Sequence, residues 1–216
     1  MNLLKTEFHC HTRYSPDGLP SPEQLVAACR RKGIDRVIVT DHNTIAGALE
    51  ARKLAPELVI VGEEIMTTRG ELLCAFVAEE IPAGLDPREA ISRLRAQGAF
   101  ISVSHPFDAF RSGAWDEPDL LDILPLVDAI EVFNARCYFE SFNTQAMDFA
   151  RRHNLPGTCG SDAHAAFELG RGTLLLPPFQ GADDLRAVIR QGIPQMRRSS
   201  PFVHLASRFA KIRNRF

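Results

Sequence analysis

Long apolar runs are what this chain most plainly lacks: no stretch approaches the roughly 18 residues that a membrane-spanning helix needs. The first residues carry no basic region followed by an apolar segment and a cleavage site. Secretion is therefore not expected, and the chain reads as cytoplasmic. Cysteine is sparse and scattered. Cys10, Cys29, Cys74, Cys137 and Cys159 form no Cys-x-x-Cys pair, and an odd, dispersed set fits a reducing compartment better than a disulfide framework. Net charge is nearly absent too. The 25 basic and 27 acidic residues leave −2, which argues against broad coating of nucleic acid but leaves room for a local phosphate site. Neither a Gly-x-Ser-x-Gly elbow nor a Gly-x-x-x-x-Gly-Lys loop occurs, which weakens serine-hydrolase and nucleoside-triphosphatase readings.

What is present is an ordinary globular balance, 45% hydrophobic over 216 residues, enough for one substantial core or two small ones. Its anchor is His9-Cys10-His11, behind a short apolar run. In a strand, two residues apart means one shared face, so both imidazoles point together, and Asp17 returns six residues later. Alone, such a pair reads as readily as structural histidines. Its neighbours change that. Apolar runs end at Asp41-His42-Asn43, at Glu63-Glu64, at Ser104-His105-Pro106, at Asn134 and at Gly160-Ser161-Asp162-Ala163-His164. Six strand ends carrying metal-type side chains would converge on one rim of a parallel barrel, where such folds place their active sites.

Between these runs lie helical patterns. Ser21-Pro22-Glu23 starts one as cap and first turn, and Gly33 stops it. Thr44 is expected to cap the next, up to about residue 54, and Asp86-Pro87 opens a third. The run at residues 72–77 follows residues 58–61 so closely that the two read as a hairpin-like pair. The loop 106–118, with Phe107, Phe110, Arg111 and Trp115, reads either as a substrate-facing flap or as a surface loop pinned by its aromatics. Residues 138–153 and 183–191 are further helices. Repeated strand–helix order with seven strands favours an α/β barrel over a sandwich, with an open parallel sheet as the structural rival. Residues 1–196 read as one catalytic domain. Residues 197–216 change character: Arg197, Arg198, Arg208, Lys211, Arg213 and Arg215 accompany Phe202, Leu205, Phe209, Ile212 and Phe216, and no acid follows Asp184. That is a basic amphipathic helix, suited to dock on the barrel or a partner, or to meet RNA phosphate or an anionic surface.

The strand-end pool is His9, His11, Asp17, His42, Glu64, His105, Asn134, Asp162 and His164. Imidazoles with carboxylates suit Mn, Zn or Fe(II), and the pool is too large for one tetrahedral ion. Two or three divalent ions are expected, with Glu64 able to bridge. Arg13, Arg69 and Arg136 follow ligand positions closely enough to hold phosphate oxygens, or are simply solvated. Asp41 is placed to orient an imidazole, and Glu63 faces away from Glu64.

The ordered set from His9-x-His11 through Asp41-His42, Glu64, Ser104-His105-Pro106 and Asn134 to Gly160-Ser161-Asp162-Ala163-His164 resembles the polymerase and histidinol phosphatase (PHP) superfamily, over roughly residues 6–176. That resemblance implies a distorted (β/α)7 TIM-like barrel with its metals at the C-terminal rim of the strands. It implies His9, His11, Glu64 and Asp162 on one ion, Asp17, His42 and His164 on another, and Glu64 with His105 on a third. Relatives with a full third site usually carry histidine where this chain has Asn134. Relatives acting on nucleotide or RNA 5′ ends often carry one in the strand after Glu64, where this chain has Glu71-Leu72-Leu73-Cys74. The long insertion of many small-molecule relatives is also missing, which suggests an open site.

Together these readings lead to a hydrolase of phosphate esters working through metal-activated hydroxide, on nucleotides or other small phosphorylated molecules. His105 or a water would protonate the leaving group. The alternatives are a 5′-to-3′ exonuclease on short single-stranded RNA or DNA, a histidinol-phosphate-type phosphatase, an amide hydrolase or deaminase, and a non-catalytic metal- or phosphate-binding module.

Overall fold

The computed structural model describes residues 2–204 together with Ser207, Arg208 and Lys211. Within them the chain runs β1 (Leu4–Glu7), α1 (Pro22–Arg31), β2 (Arg36–Val39), α2 (Ala46–Leu54), β3 (Val59–Met66), β4 (Glu71–Ala75), α3 (Pro87–Ala96) and β5 (Phe100–Val103). It continues with α4 (Glu117–Ile123), β6 (Ala129–Asn134), α5 (Glu140–Arg152), β7 (Gly157–Gly160), β8 (Gly172–Leu176), α6 (Ala182–Val188) and β9 (Ile193–Met196). Ser21 and Gln24 cap α1 reciprocally, as its sequence indicates. Ile45, not Thr44, stands at the cap position of α2, so the helix starts one residue later than expected, with the Thr44 hydroxyl accepting from the Ala46 amide.

The strands form one mixed sheet in the order β7-β6-β5-β4-β3-β2-β1-β8-β9. The expected seven-stranded barrel is thus corrected to a nearly closed sheet of nine strands among the described residues. Two features cause the difference. Residues 67–70 are too few for a crossover, so β4 runs antiparallel to both β3 and β5. After β7 the chain returns as β8, antiparallel to β1, and adds β9 outside it. Closure comes beyond the strand ends, where Cys10 pairs in parallel with Ala163: the His11 amide donates to Ala163 O at 2.8 Å and the Ala163 amide to His9 O at 3.3 Å.

Period-two alternation builds the core on both faces. Val37, Val39, Val59 and Val61 belong with Leu25, Ala28 and Ala48 of the helices in one buried cluster. Ile38 and Ile60 join Phe8, Phe100 and Phe133 in a second. All five cysteines are buried free thiols. Among the described residues no helix is long and apolar enough to cross a membrane.

The C-terminal segment returns over the barrel. Arg136 Nη2 donates to Ser207 Oγ at 2.6 Å, His204 stacks on Tyr138 with centroids 4.1 Å apart, and Lys211 Nζ lies 3.2 Å from Asp17 Oδ2. Phe202 points to solvent. Leu205, Phe209, Ile212, Arg213, Arg215 and Phe216 of the expected helix lie outside the described residues.

Glu63 faces away from Glu64, as alternation requires, and its Oε2 accepts from the Ile81 amide at 3.1 Å. Burial pushes its carboxyl up to about 8. A carboxyl raised on folding stabilises fully below its unfolded value, and that stability is lost as pH rises through about 8. Glu63→Gln is expected to match wild type near pH 4 and to exceed it by about 2–4 kcal/mol at pH 9, read from thermal unfolding at the two pH values.

Candidate metal centre

Each parallel strand delivers its last side chains to one rim, and Glu64 stands in the middle of what they assemble. Its Oε1 lies 3.2 Å from both His9 Nε2 and His105 Nε2, and its Oε2 lies 3.4 Å from His11 Nε2 and 3.1 Å from His42 Nδ1. Asp162 Oδ1 lies 3.3 Å from His11 Nε2, and Asp17 Oδ1 lies 3.3 Å from His164 Nε2 and 3.6 Å from His42 Nε2. The donor atoms of His9, His11 and Glu64 fall within 4.8 Å of one another, as do those of His11, His42 and His164.

A layer of hydrogen bonds aims these groups. Glu131 accepts from His9 Nδ1 at 2.9 Å and from the His105 amide at 2.9 Å, which leaves His9 Nε2 facing the centre. Asp41 accepts from Ser15 Oγ at 2.8 Å, and Ser15 Oγ lies 3.1 Å from His11 Nδ1, so Asp41 orients an imidazole through a hydroxyl. Buried Glu7 accepts from the Ser161 and Gly170 amides and from Ser161 Oγ, bracing the turn that carries Asp162. Asp162 itself sits at φ 50°, a left-handed conformation that its surroundings must enforce. Gly160 is obligatory here, since a Cβ would lie 2.3 Å from Glu131 Oε1 and 2.4 Å from the His9 Cβ.

Electrostatics follow from packing so much charge together. Burial alone would raise Glu64 and Asp162, but His9 and His42 hold Glu64 well below the carboxylate range, and Arg111 and His9 do so for Asp162. Burial and then Glu64 push Glu71 up, while burial, His11 and Arg136 push His164 down to about 3. Several atoms at the centre lack a hydrogen bond although buried: His9 Nε2, His11 Nε2, Glu64 Oε2, Asp17 Oδ1 and Asp162 Oδ1. Native proteins rarely leave such atoms unmatched, and a set of imidazole nitrogens and carboxylate oxygens aimed at one space fits divalent ions.

The sequence-derived residues divide by position. His42, His105, Asp17, His164 and Arg136 line a cavity of about 280 Å³, and His9, His11, Glu64 and Asp162 lie buried beneath it. Asn134 is there too, but its Oδ1 accepts from the Arg136 amide at 2.9 Å and its Nδ2 donates to Glu131 at 3.1 Å and Asp162 at 3.2 Å. Two arginines point elsewhere. Arg69 pairs with Asp119 at 2.7 Å and Asp86 at 3.7 Å, and Arg13 is exposed and does not line the cavity. Glu71, Glu131, Glu7 and the role of Arg111, whose guanidinium meets Asp162 and Asp108, are not evident from the strand ends. The signal for Glu131 was there: an acid in the middle of the otherwise apolar β6 run has to be matched by something.

The PHP domain family matches residues 7–97, and the PHP-associated family residues 140–193. The chain is 38% identical to the Methanocaldococcus jannaschii protein MJ1587 over 145 residues, 61% of this chain and 82% of that one. A two-domain protein from Bacteroides vulgatus, containing a predicted PHP-like metal-dependent phosphoesterase, superposes with a TM-score of 0.74 at 22% identity over 90% of this chain. This chain spans 65% of that protein's length. PsfC from Pseudomonas syringae superposes with a TM-score of 0.72 at 18% identity, over 99% of both chains. At such identities the superpositions speak for the fold alone.

Manganese or zinc is expected to raise the unfolding temperature, since binding at about a hundredfold excess over Kd contributes about 2.7 kcal/mol. EDTA should reverse the gain, and His11→Ala should lose most of it. Thermal unfolding with and without metal checks both.

Proposed function

This chain belongs to the PHP family, and we propose that it hydrolyses phosphate esters of nucleotides at a centre of two or three divalent ions. One observation carries the reading: the imidazole–carboxylate cluster opens into a cavity whose remaining wall is cationic and aromatic, formed by Arg111, Arg136, Arg208, Lys211, Phe110 and Tyr138. His9, His11, Glu64 and Asp162 would hold one ion, and Asp17, His42 and His164 another. The ions, when bound, would activate water and offset charge on the phosphoryl oxygens. The chain's own groups do the rest. Glu131 and Ser15 fix which imidazole nitrogens face inward. Arg136, buried, spends its guanidinium on Ser207 Oγ, Val203 O and Asp162 O and so lends fixed positive charge to the cavity wall, and Arg208 and Lys211 add more at the mouth.

The aromatic side of the mouth favours a nucleoside over a small polar alcohol as the group bearing the phosphate. Phe110 is 67% exposed, 5.5 Å from Tyr138 between ring centroids, and a flat base gains from stacking on such rings. A 5′ end of short single-stranded RNA or DNA is the second reading, supported by the basic C-terminal segment at this same rim. In this proposal residues 1–196 are the catalytic domain, and the basic segment after them, through Arg208 and Lys211, belongs to the substrate mouth.

The reading is tested by manganese-loaded hydrolysis of nucleoside monophosphates, a 3′,5′-bisphosphate, histidinol phosphate and 5′-phosphorylated short RNA. His11→Ala should abolish turnover. Phe110→Ala should raise KM for nucleotides about tenfold with kcat little changed, in line with about 1–3 kcal/mol per stacked base. Equal turnover of histidinol phosphate, untouched by Phe110→Ala, would remove the nucleoside from the proposal.

A further inference from the structure

We infer that Glu71 is a metal ligand, completing with Glu64 and His105 an ion site of two carboxylates and one imidazole. The inference rests on the metal-centre reading above but is independent of the substrate.

Strand direction brings Glu71 to the centre. Because β4 runs antiparallel to its neighbours, its first residue, not its last, stands at the rim. The backbone there is pinned from three sides: the Glu71 amide donates to Gly113 O at 3.1 Å, and Glu71 O accepts from the Ser104 amide at 3.2 Å and from Trp115 Nε1 at 3.0 Å. The buried side chain places Oε2 3.3 Å from His105 Nε2 and Oε1 3.8 Å from His42 Nδ1. His105 Nε2 is thus shared between Glu71 and Glu64, which approaches to 3.2 Å. The donor atoms of His42, Glu64 and Glu71 fall within one 4.8 Å group.

One observation says that this space expects a cation. Buried Glu64 Oε2 makes no hydrogen bond and lies 3.1 Å from His42 Nδ1, which in turn lies 3.8 Å from Glu71 Oε1, while Ser104 Oγ serves Glu64 Oε1 at 2.6 Å. The loop after β5 is also shaped around the Glu71 carboxylate. A Cβ on Gly113 would lie 1.9 Å from Glu71 Oε2, so only glycine leaves the carboxylate where it is. Two buried carboxylates beside one imidazole repel each other until a dication joins them.

Asn134, the position expected to serve a third ion, has no such freedom. Its oxygen is taken by the Arg136 amide and its nitrogen by Glu131 and Asp162, so it braces the neighbouring site. The exchange changes the chemistry. An oxygen-rich donor set favours a hard ion of the manganese type over zinc.

The test is ion counting and anomalous diffraction on the full-length protein loaded with manganese and desalted. Wild type is expected to hold about three ions per chain. One anomalous peak should lie about 2.0–2.6 Å from a Glu71 carboxylate oxygen and clear of Asn134. Glu71→Gln, isosteric and checked for folding by circular dichroism, should lose one ion and keep the rest, while Asn134→Ala should lose none. A full ion count in Glu71→Gln, or a peak coordinated by Asn134 with none at Glu71, would overturn the assignment. A wild type that binds no manganese or zinc would instead overturn the metal-centre reading, and this inference with it.

Discussion

Buried negative charge is the constraint on which this molecule turns. Glu64, Glu71, Glu131 and Asp162 are all withdrawn from water within one network, and burying carboxylates unmatched is among the costliest things a fold can do. The surrounding donors and cations answer it one by one. Four imidazoles approach Glu64, Arg111 meets Asp162, and Lys211 reaches Asp17 from the C-terminal segment. Charge balance therefore ties together elements far apart in the chain, including a loop after β5 and residues beyond β9.

Geometry is then set from behind. Glu131, Ser15 with Asp41, and Glu7 with Ser161 act on the far sides of the imidazoles and of the Asp162 turn, so rotation of any donor would break a hydrogen bond. Left-handed backbone at Asn43 and Asp162 has the same character: each sits beside a donor, and Asn43 is tied to the Met66 amide at 2.8 Å. A centre prepared in this way does not need to reorganise its protein donors to receive a cation.

How much of this was legible follows from strand direction. His11, His42, Glu64, His105 and Asp162 could be found because each follows an apolar run that ends at the rim, and a run's C-terminal end is where a parallel strand shows its chemistry. Glu71 precedes its run, so a rule that looks to the C-terminal end of each run passes over it, although the hairpin-like reading of β3 and β4 agrees with the antiparallel pairing that brings it to the rim. Glu131 was hidden by lying inside a strand. β9 was invisible because Ile193, Pro194, Gln195 and Met196 are all exposed and carry no alternation, and without it the strand count stayed short. Loop arginines were the least legible. Arg13 and Arg69 sit as near to ligand positions in sequence as Arg136 does, but Arg13 is exposed, Arg69 pairs with Asp119, and Arg136 lines the cavity.

The parallel contact between Cys10 and Ala163 is more than the seam of a barrel. It joins segments about 150 residues apart, and Glu7 with Ser161 repeats the span immediately beneath it. No shorter piece of the chain contains both halves of the centre. During synthesis the first histidines must therefore wait until His164 has emerged. Contacts of such long range carry a loop-closure cost that local pairings do not, so the centre assembles only after both halves have been brought together.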